Sequence, residues 1–214
     1  METAPAAGSR QADSAATRRV ILDAAEALLE SGGEDGLSIR ELCARAGVTA
    51  PTVYHHFGDK AGVVERVVDE CFADFDRAVA GRTAPSDPVE ALRWGFDRYV
   101  DYGQRHPAHY RLMFQPRRAR RTPGGLASYD GLRRRVATID AAGRLVVDVD
   151  DAAAAFWATV HGVTSLLVSG FVPRDAPMIA LVRESMIAQL TMPATSRRDG
   201  AHGGNSSSKR RKRT

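Results

Sequence analysis

Residues 37–60 of the chain read LSIRELCARAGVTAPTVYHHFGDK, and this stretch decides the fold. Ser38 and Glu41 have the spacing of a capping box, in which each side chain bonds the other residue's backbone N–H at the start of a helix. Gly47 supplies the left-handed residue on which a helix can end abruptly. The first half of the stretch therefore predicts a short helix that stops at Gly47.

A second short helix is predicted immediately after this turn. Thr49 is placed to cap it, and Pro51 falls in its first turn, where a missing N–H costs nothing. The helix ends at Gly58 after only two turns. Val53 and Phe57, spaced i and i+4, form its single apolar stripe and leave the other side chains, mostly small or hydrogen-bonding, on the outside.

An outward-facing polar helix of two turns contributes little to stability, but it suits contact with DNA. In a helix-turn-helix the second helix enters the major groove, where small residues allow close approach and hydroxyl or imidazole groups reach base edges and phosphates. The spacing therefore predicts a DNA-binding helix-turn-helix over residues 37–60. An ordinary helical hairpin within a bundle is the alternative that spacing alone leaves open.

Helical patterns continue on both sides of this motif. Apolar residues between Val20 and Leu29 recur at helical spacing, and the pattern stops at Gly32–Gly33. Asp59 is placed to cap a fourth helix, which reaches about Gly81. A helix therefore precedes the motif and a long helix follows it.

A second set of helices follows a linker near residues 83–88. These helices are predicted at about 88–105, 107–114, 124–142, 151–170 and 175–191. Leu145–Val149 alone has a β-like pattern, and it is too short to build a sheet. The chain is therefore predicted to be all-α, with an N-terminal three-helix domain joined by a long helix to a C-terminal helical bundle.

Composition and periodicity divide the chain into four parts. Residues 1–14 lack apolar periodicity and are predicted to be a disordered arm, and residues 193–214 are predicted to be a disordered basic tail. Between them we predict a DNA-binding domain over 15–60, with the fourth helix as a connector to about residue 81. A ligand-binding and dimerisation domain is predicted over 85–192.

The composition indicates a soluble protein inside the cell. With 214 residues and 43% hydrophobic content, the chain can bury a sizeable core. No stretch approaches the roughly 18 to 20 apolar residues that span a bilayer, and the N-terminus has no apolar signal core. Cys43 and Cys71, the two cysteines, lie in apolar helical patterns, which suits a reducing compartment. We therefore expect a cytoplasmic protein.

The net charge of +4 does not locate the DNA-binding segment. The run KRRKR at 209–213 carries five positive charges, whereas residues 17–60 hold five basic and seven acidic residues. The terminal run either adds sequence-independent affinity for DNA or acts as a solubilising tail. Two further arginine clusters, within 117–121 and 133–135, are expected to be solvated surface, with contact to an acidic ligand or partner as the alternative.

Four segments resemble the N-terminal domain of TetR-family transcriptional regulators almost position for position. They are TRRVILDAA at 17–25, LSIREL at 37–42, AGVT at 46–49 and TVYHHFGDK at 52–60. The resemblance implies that the second and third helices form the helix-turn-helix and that the protein regulates transcription.

The same resemblance implies which residues touch DNA. Tyr54 and His55 are expected to contact phosphate or base, and Lys60 is expected to anchor phosphate. The base-facing group is expected to comprise Thr49, Ala50, Pro51 and Thr52. Pro51 departs from the family pattern because it removes a hydrogen-bond donor.

Three arginines near the motif are further candidates for phosphate contact. Arg40 lies in the first turn of the second helix, and Arg18 and Arg19 lie where the first helix begins. Each can instead be solvated or paired with Glu41 or Asp23. We count Arg40 among the DNA-binding candidates.

The predicted C-terminal helices are rich in aromatic and sulfur-containing side chains. These side chains can be ordinary core packing, or they can line a pocket for an apolar or aromatic small molecule that a few polar groups orient. The candidate pocket residues are Tyr99, Tyr102, Met113, Phe114, Trp157, His161 and Thr164.

Two C-terminal segments, HPAHYRLMF at 106–114 and WATVHGV at 157–163, resemble the TetR C-terminal domain type named for its Trp, His and Gly. That resemblance implies a ligand-sensing domain whose last two helices pair with their symmetry mates. A dimer places two recognition helices in successive major grooves of a near-palindromic operator. We expect a homodimeric repressor released by a small molecule, with an activator or a protein-responsive regulator as the alternative.

An enzyme is the remote alternative. It would use His106, His109 and His161, with an acid such as Asp101, as a metal site or as a catalytic base pair. A proline interrupts the His-Pro-Ala-His spacing, and the chain has no paired cysteine ligands, no phosphate-binding glycine loop and no nucleophile elbow. We therefore expect no enzymatic activity, no cofactor and no metal site, and a metal acting as an effector is more plausible than a catalytic one.

Overall fold

The computed structural model describes residues 7–81, 84–114 and 122–192, with side chains from residue 13 onward. These residues form nine helices and no strand, and an isolated antiparallel bridge joins Leu145 to Thr191. The all-α prediction is confirmed. The helices are α1 (Ala7–Gly36), α2 (Ile39–Ala46), α3 (Ala50–Phe57), α4 (Lys60–Ala80), α5 (Pro88–Arg105), α6 (Pro107–Met113), α7 (Pro123–Ala141), α8 (Val149–Val168) and α9 (Met178–Leu190).

The first helix corrects the prediction of a disordered arm over residues 1–14. Helix α1 begins at Ala7, in the stretch AGSRQADSAA, which has no apolar face but includes four alanines, the residue with the highest helix propensity. Gly33 has a φ of 61° and interrupts the helix at the predicted stop. Residues 1–6 and the predicted tail at 193–214 lie outside the described residues.

The N-terminal helices share a small core around α3. Ile21 of α1, Leu42 of α2, Val53 of α3 and Val63 of α4 are all fully buried. Burying a side chain of this size contributes roughly 1.5–3 kcal/mol relative to leaving it exposed. This core fixes the orientation of α3, whose only fully buried side chain is Val53.

Helix α4 connects the two parts of the fold. It contacts α1 and α3 on one side and α5, α6 and α7 on the other. Its apolar stripe is buried from Val63 to Val79 and includes Phe72 and Phe75. The N-terminal and C-terminal helices therefore both pack against this one continuous helix.

Helix α8 corrects the expectation that no stretch could span a bilayer. By length and composition it is long and apolar enough to do so, and 39% of its most apolar 18-residue stretch is buried. The buried side includes Phe156, Val160 and Val163. Core helices of globular domains also reach this length and apolar content, and much of the surface of α8 is uncovered in the single chain.

Helices α5 and α8 approach each other closely at Gly103. A Cβ atom at this position would lie 2.2 Å from Cγ2 of Thr164, which is fully buried. A Cβ at Gly95, two turns earlier on α5, would meet nothing within 4 Å. The two glycines therefore differ in the space around them.

We predict that Gly103→Ala lowers the free energy of unfolding by about 1–3 kcal/mol, because the added methyl group overpacks the α5–α8 contact. The matched variant Gly95→Ala should leave stability unchanged or raise it by roughly 0.5–1 kcal/mol, because alanine favours a helix interior. Urea unfolding followed by circular dichroism measures both. Equal effects of the two variants would contradict the described packing.

Candidate functional site

The local signals of the helix-turn-helix lie where the sequence predicts them. The Ser38 hydroxyl accepts a hydrogen bond from Glu41 N at 3.1 Å and caps α2. Gly47 adopts the left-handed conformation, with φ 66° and ψ 30°, and its N–H donates to the carbonyl oxygen of Cys43. The predicted beginning and end of α2 are confirmed.

Helix α3 is short and begins at an extended residue. Thr49 occupies the N-cap position, but its hydroxyl lies 3.0 Å from the Thr52 hydroxyl and caps no backbone N–H. Pro51 lies in the first turn, as predicted. Val53 is fully buried and Phe57 half-buried, so the apolar stripe packs inward.

The opposite side of α3 faces outward. Pro51, Tyr54 and His55 are exposed, and 47% of Tyr54 is accessible. Ala50 and Thr52 are half-buried and Thr49 is exposed. Positions 54 and 55 follow position 51 by three and four residues and lie on the same side of the helix. Helix α3 therefore presents a continuous surface of small and hydrogen-bonding groups.

The corner between α3 and α4 is tight. A Cβ atom at Gly62 would lie 2.1 Å from the carbonyl oxygen of Phe57. Asp59 caps α4 by accepting a hydrogen bond from Gly62 N at 2.7 Å. Lys60 Nζ donates to the carbonyl oxygen of Glu34 at 2.9 Å, which ties the start of α4 to the end of α1. Lys60 remains exposed beside α3.

The arginines near the motif have different environments. Arg19 is paired with Asp23 and, at 2.7 Å, with Glu70 of α4, and the hydrogen bond to Asp23 raises the pKa of its guanidinium. Arg18 lies 5.3 Å above the centre of the Phe57 ring. Arg40 is exposed, and no ion pair among the described residues involves it. Arg19 thus links α1 to α4, whereas Arg40 is accessible to a phosphate.

A cavity of about 660 Å³ lies between α4, α5, α7 and α8. Four of the predicted pocket residues line it, namely Tyr99, Met113, Phe114 and Trp157. Further aromatic rings in its wall are Phe72, Phe75, Tyr129 and Phe156. The wall is therefore largely apolar.

The other three predicted pocket residues do not line this cavity. The Tyr102 hydroxyl donates to the carbonyl oxygen of Cys71 at 3.2 Å, and burial raises its pKa. Thr164 is fully buried, and its hydroxyl donates to the carbonyl oxygen of Val160 at 2.7 Å. Nδ1 of His161 lies 2.7 Å from the Tyr110 hydroxyl, and burial lowers the pKa of the imidazole. Their polar atoms are satisfied within the core.

The cavity also has a polar wall that the sequence analysis missed. Asp76 of α4 accepts a hydrogen bond from the Ser128 hydroxyl of α7 at 2.6 Å. Burial raises the pKa of this carboxyl, while the charges of Arg135 and Arg134 oppose the rise. Both arginines line the cavity, whereas Arg133 pairs with Asp150 at 2.5 Å. The arginine cluster at 133–135 is thus only partly solvated surface, and the cluster at 117–121 lies outside the described residues.

The histidines proposed for a metal enzyme do not converge. The rings of His106 and His109 stack at 5.5 Å, while His161 lies on α8 among aromatic rings. Among the described residues, the one group of three potential ligands joins His109 to Glu26 and Glu30. Among the described residues, no contact joins His161 to a second histidine.

Comparison with known proteins supports the same division of the chain. A family model described as "Bacterial regulatory proteins, tetR family" matches residues 21–67, and one described as "Tetracyclin repressor-like, C-terminal domain" matches residues 92–190. The chain is 33% identical over 92 residues to the HTH-type transcriptional regulator EthR of Mycolicibacterium smegmatis. The matched segment covers 41% of this chain and only 42% of EthR.

Two longer matches extend over most of the chain. An uncharacterized HTH-type transcriptional regulator of Mycobacterium tuberculosis is 27% identical over 196 residues, covering 89% of this chain and 86% of that protein. A solved structure of a protein of unknown function from a Rhodococcus species is 28% identical, covers 82% of this chain and 96% of that chain, and superimposes with a TM-score of 0.70.

The capped helix pair and the helical bundle that follows it define a helix-turn-helix protein with a separate C-terminal domain. The two matched regions correspond to these two parts. The chain belongs to the TetR family of bacterial regulatory proteins and is a DNA-binding transcriptional regulator. Membership of a family of regulators points to a protein that is not an enzyme. Neither family description names the Trp-His-Gly type.

Proposed function

We propose that the protein is a homodimeric repressor that leaves a near-palindromic operator when a small molecule enters the C-terminal cavity. The outward polar face of α3 carries this proposal, because no internal packing requires it and the major groove accepts it. The match of residues 92–190 to a "Tetracyclin repressor-like" domain supports repression. Such a protein acts on DNA in the cytoplasm, with 15–60 as its DNA-binding domain and 85–192 as its sensing domain.

The proposed DNA contacts fall into two groups. Tyr54 and His55 on α3, Lys60 at the start of α4 and Arg40 on α2 have exposed side chains. They are proposed to contact phosphates or adjacent base edges. Residues 49–52 form the start of α3 and are proposed to face the bases, where short side chains permit close approach. Pro51 has no backbone N–H to donate, so its contribution there is contact with the apolar edge of a base.

We predict that Arg40→Ala weakens operator binding about tenfold and reduces the slope of log K against log salt by about 1, because one phosphate contact is lost. Arg45 lies on the same helix and is also exposed, but it is turned about 140° away from Arg40. Arg45→Ala is therefore the matched control and should bind normally. Fluorescence anisotropy across a salt series measures both constants.

The operator for this measurement comes from footprinting the protein on DNA upstream of its own gene. Protection of two half-sites and reduced transcription in a purified system would agree with the proposal. Increased transcription would instead identify an activator, and equal loss of binding in both arginine variants would remove the assignment of the DNA-facing side of α2.

Dimerisation is proposed through the uncovered side of α8 and α9. Ala154, Ala158, Gly162 and Leu166 are exposed at four-residue spacing and form a ridge of mostly small residues along α8. Leu181 on the neighbouring α9 is 68% exposed. Small residues let two helices approach closely, and an apolar surface of this extent favours a protein partner. A second copy of the chain is the occupant that the two-fold operator requires.

We predict that Ala158→Arg converts the dimer to a monomer, because it buries an unpaired charge in the proposed helix contact. Ala137→Arg places the same charge at an exposed position of α7 and should remain dimeric. Sedimentation velocity gives the mass of each variant. If the Ala158→Arg protein remains dimeric, the dimer interface does not include this side of α8.

The cavity is the proposed effector site. Its aromatic wall suits an apolar or aromatic molecule, and Asp76, Arg134 and Arg135 supply a few charged groups that orient it. Trp157 lines the cavity, so a Trp-His-Gly domain type, with His161 and Gly162 following on the same helix, is compatible with sensing there. The identity of the effector is set by the shape of this wall.

We predict that the anionic aromatic probe 1-anilinonaphthalene-8-sulfonate binds in the cavity and that Gly95→Met weakens its binding at least tenfold. Gly95 lines the cavity and has open space above its Cα, so a methionine side chain there projects into the cavity and occupies part of the space that the probe needs. Gly32→Met, at an open position outside the cavity, is the control. In a Trp94→Phe background, energy transfer from Trp157 to the probe locates the site. Unchanged binding in Gly95→Met would exclude this cavity.

A further inference from the structure

Three potential metal ligands meet where the N-terminal and C-terminal domains touch. His109 of α6 places Nε2 2.8 Å from a carboxylate oxygen of Glu26 and 3.3 Å from one of Glu30. The two glutamates are one helical turn apart on α1. The His109 side chain is only 12% exposed, while those of Glu26 and Glu30 are 32% and 47% exposed.

The neighbours of His109 fix which ring nitrogen faces the carboxylates. Tyr102 has a single hydroxyl proton, and its oxygen lies 3.2 Å from the Cys71 carbonyl, which can only accept. The same oxygen lies 3.3 Å from His109 Nδ1, so it accepts the proton of that nitrogen. His106 stacks on the other side at an interplanar angle of 19°. This arrangement leaves Nε2 to the glutamates, and metal-binding histidines are commonly oriented by such a bond at the second nitrogen.

The cluster is short of positive charge. Two carboxylates face one imidazole, whereas the carboxylate of Glu70 is already paired with Arg19 and Arg66. Burial, together with the charges of Glu26, Glu30 and Glu70, raises the pKa of the Cys71 thiol to about 12. An imidazolium balances only one of the two facing carboxylates, whereas a divalent cation balances both.

We propose that Glu26, Glu30 and His109 bind a Zn²⁺ ion that joins α1 to α6. The three ligand atoms lie within 4.8 Å of one another, so small rotations of the partly exposed glutamate side chains bring all three to the usual distances of about 2.0–2.2 Å from one ion. One imidazole and two carboxylates suit zinc, with water completing the coordination. The ion crosslinks the DNA-binding domain to the C-terminal domain, a role distinct from operator binding and from the effector cavity.

The test is a titration of untagged, full-length, metal-free protein with ZnCl₂ by isothermal titration calorimetry. We expect one site per chain and at least tenfold weaker binding in Glu30→Gln and in His109→Gln. Glu65→Gln removes an exposed glutamate of α4 outside the cluster and should bind zinc normally. Glu30 is nearly half exposed, so its variant keeps the test valid if His109→Gln fails to fold.

Two further readouts separate a built site from adventitious binding. Co²⁺ should give visible absorption bands with the wild-type protein that Glu30→Gln loses, and Zn²⁺ should raise the melting temperature of the wild type but not of Glu30→Gln. Equal zinc affinity in all variants, or no binding below millimolar concentration, would overturn the proposal and leave the cluster as an ion pair only. Neither result depends on operator DNA, so it does not bear on the repressor proposal.

Discussion

The apolar stripe of α4 is the interaction on which the rest of the structure depends. Val63 and Val67 close the core beneath α3, and Phe72 and Phe75, further along the same stripe, form part of the cavity wall. Removing this stripe from water stabilises both domains through one helix. The outward face of α3 and the interior of the C-terminal domain therefore share a structural element, although their own side chains do not meet.

The parts of the fold that the sequence predicted well are those with local causes. Ser38, Gly47 and Pro51 act on the backbone within a few residues of themselves, so their spacing places the ends of α2 and α3. The start of α1 was mispredicted because the prediction relied on apolar periodicity alone. From Ala7 onward the helix is supported by alanine propensity rather than by an apolar face, and periodicity is blind to that contribution.

The cavity wall and the junction cluster could not be predicted, because they join residues far apart in the chain. Asp76 meets Ser128 and Glu26 meets His109 only after the helices have packed. Two residues that were predicted from their type to line the pocket are instead buried in the core. Tyr102 and Thr164 bond backbone carbonyls, because a hydroxyl in the core costs free energy unless it finds an acceptor. Residue type indicates what a side chain can do, and packing selects which of these it does.

The tight corner at Gly62 has a mechanical consequence. With the Phe57 carbonyl pressed against the first turn of α4, no flexible linker separates the two helices, so α3 follows α4 as one rigid piece. Helix α4 has 21 residues, which makes it a lever about 30 Å long. A tilt of about 5° at its far end swings α3 by about 2.6 Å, close to the length of one hydrogen bond. Under the proposed function, a small rearrangement around the cavity would be enough to take α3 out of register with the major groove.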